Sequence, residues 1–315
     1  MTLLPVTRAA DLDPGIPSRR WLVDELWSDE AVGIVGGEPK CCKSFLALDL
    51  AVAVASGVPC LRRFRPAQTG RVLLFAAEDA LHVVRQRLAG IARAADRDLA
   101  DLDIHVITAP SMRLDVERDR ESLTETIAEL RPKLLILDPF VRLHRIDENA
   151  SGEVAPLLAF LRELQRRFQL AVLVVHHARK GGAKMRGGQA LRGSSEFHAW
   201  GDSNLYLRRH GGELMLTVEH RAAPSIPAVL VQLAVHGDAV ALAAVQAAPT
   251  TTEIAAIAAT VAQRVEQHLA AASAPLTIVA LRKLCRSRTK TICDHLAELV
   301  RAGTVIKSDA GFRLA

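Results

Sequence analysis

Gly36-Gly37-Glu38-Pro39-Lys40-Cys41-Cys42-Lys43-Ser44 lies between the apolar run Ala31 to Val35 and the apolar stretch Phe45 to Ser56, and its reading decides the fold. The first run suits a buried strand, and the second is apolar on nearly every face, as a helix wedged between layers is. The segment between them is therefore a strand-to-helix turn. Such a turn needs glycine where the backbone takes unusual dihedrals close to a phosphate, and it leaves the first N–H groups of the helix free to hold an anion. Gly37, Lys43 and Ser44 fill the first Gly, the Lys and the Ser of G-x-x-x-x-G-K-[ST]. On that pattern Glu38, Pro39, Lys40, Cys41 and Cys42 form a phosphate cradle and Phe45 opens the helix. Lys43 is expected to reach the β- and γ-phosphates of ATP, and Ser44 to hold Mg²⁺. Cys42 breaks the pattern, because it puts a Cβ where a second glycine is expected.

The chain has 315 residues, enough for one large α/β domain and a small one. Half of it is apolar, yet no apolar run is long enough to span a bilayer without interruption by charge, and Met1 to Pro14 lacks a basic-then-apolar signal. A soluble, cytoplasmic protein with no membrane partner is expected. The net charge of +5 and pI near 9.1 make nucleic acid a plausible partner. Cys41, Cys42, Cys60, Cys285 and Cys293 are odd in number and form no C-x-x-C pair, which suggests neither a disulfide framework nor a zinc site. Cys42, at a helix N-terminus, is either an oxidisable thiol or a small residue tolerated in place of glycine.

Residues 1–30 carry prolines, Trp21 and Trp27, and read as an arm packed on the core of the following domain. The chain then alternates. Strands are expected at Arg71–Ala76, Ile104–Ile107, Lys133–Leu137 and Ala171–Val175, and helices at Ala80–Ala95, Glu121–Leu130 and Val154–Phe168. This rhythm calls for a mostly parallel twisted sheet covered on both faces, within an α/β domain over residues 31–245. From Ser203 to Ala244 short strands separated by Gly211-Gly212 and His236-Gly237-Asp238 read as hairpins that extend the sheet. Residues 246–252 read as a linker. In residues 253–315, helices at Glu253–Ala271, Thr277–Cys285 and Ser287–Ala302 precede a hairpin at Thr304–Leu314, the outline of a small winged-helix-like domain. Arg282, Lys283, Arg286, Arg288 and Lys290 gather around its turn. They would meet double-stranded DNA or, equally, form the solvated face of a module that docks a replication protein.

Chemistry-bearing residues recur at strand ends. The strand Arg71–Ala76 leads into Glu78-Asp79, and a carboxylate there can deprotonate the water that attacks the γ-phosphate. Glu78 is the expected base and Asp79 the alternative, with helix capping as its plainer role. Leu134-Leu135-Ile136-Leu137-Asp138 is a Walker B pattern that brings Asp138 to the Mg²⁺ shell. Ala171–Val175 ends in His176-His177. One of these can hydrogen-bond the γ-phosphate, and strand alternation sends them to opposite sides. Arg179 to Arg192 contains Arg179, Lys180, Lys184, Arg186 and Arg192, four glycines and no acid, a composition that can follow a single-stranded DNA backbone without reading sequence. Arg208 or Arg209 could be an arginine finger given to a neighbouring subunit, which implies a homo-oligomer.

Taken together, Gly-Glu-Pro-Lys-x-x-Lys-Ser (37–44), Glu78-Asp79, Leu-Asp-Pro (137–139), His-His-Ala-Arg-Lys (176–180) and Leu-Arg-Gly-Ser-Ser (191–195) resemble the RepA-type branch of RecA-like hexameric ATPases, whose best-known members are plasmid replicative helicases. The resemblance runs from about Trp21 to Leu233. It implies a RecA-like P-loop ATPase core, Glu78 as catalytic base, Asp138 on Mg²⁺, and His176 or His177 as γ-phosphate sensor. It also implies an arginine at 208 or 209 reaching across a subunit interface, and a basic loop lining a ring's central channel. Cys42 departs from the family's glycine, which leaves open a weakened or redox-modulated ATPase.

Overall fold

The computed structural model describes residues 4–11, 21–177, 196–210, 213–245, 261–272, 274–285, 289–301, 303–308 and 311–314. The chain divides into two compact units, Met1–Gln246 and Ala247–Ala315.

The first unit opens with β1 (Trp21–Val23) and β2 (Trp27–Ser28), a small antiparallel pair. Leu22, Val23, Leu26 and Trp27, in and between these strands, are buried in the same apolar cluster as the helix at Lys43–Ser56. Trp27 donates its indole N–H to the Ala31 carbonyl, while Trp21 meets the His220 ring edge to face. There follow β3 (Val32–Gly37), α1 (Lys43–Ser56), β4 (Val72–Ala76), α2 (Leu81–Ala94), β5 (Ile104–Val106), α3 (Glu117–Leu130), β6 (Leu134–Asp138), α4 (Ser151–Phe168) and β7 (Ala171–His177). The unit continues through α5 (Glu196–Trp200), β8 (Ser203–His210), β9 (Glu213–His220), β10 (Val229–His236) and β11 (Ala239–Ala244). Two helices begin earlier than their apolar periodicity indicates. Helix α3 starts at Glu117 because Glu117 and Asp119 suit the positive end of the helix. Helix α4 starts at Ser151, and Pro156 is tolerated near its start because the Gly152 carbonyl it leaves without a donor belongs to an exposed residue.

Nine strands form one sheet in the order β11-β10-β9-β8-β3-β7-β6-β4-β5. Neighbours from β8 to β5 run parallel, and β8 to β11 are antiparallel. Side chains on the two faces feed two separate clusters. Val35, Leu74, Ile136, Val175 and Leu207 pack with α1 on one face, and Ile34, Phe75, Leu137, Val174 and Tyr206 pack with α3 and α4 on the other. Because strand side chains alternate with period two, this division fixes the direction of every residue at the strand ends.

The second unit contains α6 (Val261–Ala270), α7 (Ile278–Cys285), α8 (Thr289–Arg301) and the antiparallel pair β12 (Val305–Ser308) and β13 (Gly311–Leu314). Val265, Leu269, Leu281, Ile292, Leu296, Val305 and Phe312 form its own core. Residues 246–260, including the expected linker, lie outside the described residues, as do Arg286 and Arg288. No described helix is long and apolar enough to cross a membrane.

Candidate nucleotide-binding site

The segment expected to cradle phosphates connects the carboxyl end of β3 to the start of α1. Gly37 ends the strand between β7 and β8, where a Cβ would stand 2.4 Å from the Leu207 carbonyl oxygen and 2.6 Å from the Cys41 sulfur. No larger residue fits that approach. Lys40 and Cys42 both adopt left-handed backbone conformations, with φ of 63° and 65°. Cys42 is the N-cap of α1 and makes no side-chain capping bond, so the first N–H groups of the helix are left to a ligand. An L-residue in this conformation costs about 1–2 kcal/mol. Cys42→Gly is therefore expected to raise the unfolding free energy by about 1 kcal/mol, after allowance for the greater freedom of glycine in the unfolded chain. A fall in stability on denaturant unfolding would show that the cysteine side chain is worth more than the strain it imposes.

Lys43 is only 6% exposed. Its ammonium donates to the Glu38 carbonyl at 2.8 Å, and burial pushes its pKa down, opposed by Cys41 and Asp138. Burial likewise pushes the neighbouring Cys41 thiol up. An ammonium held over the loop by a neutral carbonyl suits a polyphosphate.

Strand parity carries Asp138 onto the α1 face, following Leu134 and Ile136 along β6. There it accepts a hydrogen bond from Ser44. Its carboxyl is pushed up to about 6, chiefly by burial, with Asp79 and Glu78 adding to the rise and Ser44 and Lys43 opposing it. A divalent cation would remove this disadvantage, and a carboxylate beside a hydroxyl supplies the hard oxygen donors Mg²⁺ takes. Ser44 and Asp138 thus fit the ion.

Glu78 follows β4 and accepts from Arg142 Nε at 2.8 Å. Arg142 sits in the short helical turn after Asp138-Pro139, so one segment supplies both the buried acid and the cation that orients Glu78. Asp79 is held by Arg87 of α2 and does not cap that helix, whose N-cap is Ala80. The arrangement gives the two adjacent acids different partners on different elements.

The tandem histidines separate. His176 follows Val172 and Val174 onto the α3 and α4 face and is 1% exposed. Its ring stacks on Phe197 at 4.2 Å, and its Nδ1 is 4.0 Å from Glu148, which also faces His144 at 3.5 Å. His177 follows Leu173 and Val175 onto the α1 face, in register with Gly37 at the mouth of the loop. The same parity separates the paired arginines of β8. Arg209 shares the α1 face with Leu205 and Leu207, and Arg208 lies with Tyr206 on the other. The basic stretch with Arg179, Lys180, Lys184, Arg186 and Arg192, and the Leu-Arg-Gly-Ser-Ser segment, lie outside the described residues.

Arg142 and the His144, Glu148 and Phe197 cluster carry no sequence signal. Their roles depend on which strand ends the sheet order brings together, and only the spacing from Asp138 to Arg142 could have hinted at the first.

Residues 2–183 match the AAA domain family, more than half the chain. This chain belongs to that family. Its fold is similar to two solved structures. One is a DnaB-like replicative helicase, described with its interactions with primase (TM-score 0.51, 14% identity, 68% of this chain and 57% of that one). The other is the RadB recombinase (TM-score 0.50, 16% identity, 68% of this chain and 90% of that one). The chain thus spans little more than half of the helicase's length. At such identities the likeness is one of fold: this is an AAA-type chain with a RecA-like core.

Proposed function

We propose that the chain is a Mg²⁺-dependent ATPase coupled to single-stranded DNA, a RepA-type helicase of plasmid, phage or mobile-element replication that works as a homo-oligomeric ring in the cytoplasm. The observation that carries this reading is the convergence of Lys43, Ser44, Asp138 and His177 on one face of the sheet, with Glu78 at its edge. Lys43 and the free N–H groups of α1 would hold the phosphates, and Ser44 and Asp138 the Mg²⁺. Mg²⁺, when bound, would neutralise charge on the phosphate oxygens. Glu78 would take the proton of the attacking water. His177, and not the buried His176, would sense the γ-phosphate.

The basic stretch from Arg179 to Arg192 follows His177 closely in sequence, so DNA contact and hydrolysis would meet within one segment. The second unit, with its helices and terminal hairpin, would act as a winged-helix-like module toward double-stranded DNA or a replication protein.

The test is steady-state ATP hydrolysis under reducing conditions, with and without single-stranded DNA. DNA-stimulated turnover supports a motor. ATP binding without turnover supports the second reading, a nucleotide-gated DNA-binding regulator, which the left-handed Cys42 in place of glycine favours. Changing Arg179, Lys180 and Lys184 together to alanine is expected to weaken DNA binding and flatten its salt dependence, by roughly one unit of slope per lost phosphate contact. An unaltered slope would move the DNA site to the second unit.

A further inference from the structure

We infer that the acidic groove between α3 and α4 is a docking surface for a second copy of this chain, which enters it with the arginine row of its α2. The inference rests on the homo-oligomer reading above and names the surfaces that would make it.

The groove has a volume of about 660 Å³ and is lined by Glu117, Glu121 and Glu125 of α3 and by Pro156, Phe160 and Glu163 of α4, among others. All four glutamates are exposed, and Phe160 is half-buried. Two arginines also line the groove, Arg120 over the Phe160 ring at 5.3 Å and Arg167 over the Phe168 ring at 5.2 Å. Four carboxylates against two stacked guanidiniums leave the groove negative. The complementary surface lies on α2. Arg85, Ala89 and Arg93 follow one another there at four-residue steps, with Arg97 and Leu99 just past the end of the helix. The three arginines are exposed, and Arg93 makes a loose 3.6 Å contact with Asp238. Asp96 and Asp98 stand beyond the helix, and Asp98 is occupied in accepting from the Ala100 N–H.

The two charge rows match in pitch. Glu117 to Glu125 and Arg85 to Arg93 each span two four-residue steps, about 12 Å along a helix. Rows at four-residue steps form ridges that fit one another's grooves when two helices cross at about 50°. Both arginines can therefore meet carboxylates at once, and the small Ala89 lets Glu121 lie between them.

The fold decides that the partner is another copy. Val84, Leu88 and Ile91 bury α2 in the cluster on the α1 face, while Leu123, Ile127, Leu157 and Leu161 bury α3 and α4 in the cluster on the other. The sheet stands between row and groove, so a chain cannot fill its own groove with its own row. Contact of unlike surfaces on two copies is heterologous, and it continues into a ring or a filament. Pairing like surfaces in a symmetric dimer would oppose like charges.

Sedimentation velocity of the full chain with Mg²⁺ and ATP tests this. One variant combines Glu121→Arg with Glu125→Arg, and the other Arg85→Glu with Arg93→Glu. Each is left with two surfaces of like sign, and its association is expected to weaken by about 100-fold or more. An equal mixture of the two should assemble to within about tenfold of wild type, because the row of each now fits the groove of the other. A single chain carrying all four reversals should do the same. Either variant assembling like wild type overturns the inference, as does failure of both the mixture and the fourfold reversal to recover. The wild type supplies a measurement that needs no variant: its association should weaken at least about tenfold between ~0.1 and ~0.5 M salt, and unchanged association overturns the inference. A wild type that stays monomeric at every concentration defeats the homo-oligomer reading itself.

Discussion

Replacing Lys43 with alanine is expected to abolish measurable nucleotide binding, with a loss of affinity of at least about 100-fold by direct titration. The ammonium is buried, is held by a neutral carbonyl, and has its pKa depressed by burial. It is therefore a cation the fold has paid to desolvate, aimed at the place where phosphate oxygens would lie. Charge-assisted hydrogen bonds are worth about 1.5–3 kcal/mol each, and one ammonium can make several. The substitution should not harm the fold. Alanine is the best helix former, Lys43 opens α1, and a buried charge is removed. Denaturant unfolding of the variant should then match or exceed the wild type while binding is lost. That combination separates a ligand-holding lysine from a structural one. Affinity retained within a few-fold would dismiss the phosphate cradle.

The strand-to-helix turn at residues 37–43 was readable because its signals are local. The strand-like run, the glycine, the Lys-Ser pair and the apolar helix follow one another in sequence, and the turn chemistry needs no knowledge of distant residues. The alternating core was readable for the same reason: Leu134 to Leu137 and Ala171 to Val175 are too apolar to be anything but buried strands. The pair β1 and β2 was not, since strands as short as Trp21–Val23 and Trp27–Ser28 carry no period. Helix α5, from Glu196 to Trp200, is likewise too short to show one.

The choice between His176 and His177 stayed open in the sequence for a different reason. Alternation told that the two diverge, but not which face α1 occupies, and that became visible only once Val35, Val175 and Leu207 were seen in the α1 cluster. The same knowledge turns Arg209 toward the loop and Arg208 away. The plain reading of Asp79 as a helix cap gave way because Arg87, two turns along α2, reaches it.

Glu78→Gln is expected to lower ATP turnover by about 10²–10⁴-fold while leaving nucleotide affinity close to wild type, with or without single-stranded DNA. Glutamine keeps the length of the side chain and an oxygen for Arg142, so the geometry at the end of β4 survives, but it cannot take a proton from water. Asp79→Asn is the natural comparison. Asparagine likewise keeps an oxygen for Arg87, so only the charge of that pair is lost, and turnover should stay near wild type. The two variants therefore separate the acids: Glu78→Gln removes turnover at constant stability, and Asp79→Asn leaves both close to wild type. Arg142→Ala adds a third point. It leaves the base in place and removes the cation that orients it, so its turnover should fall between the wild type and Glu78→Gln. If Asp79→Asn were inactive and Glu78→Gln active, the base would be Asp79, and its pairing with Arg87 would have to open when nucleotide binds.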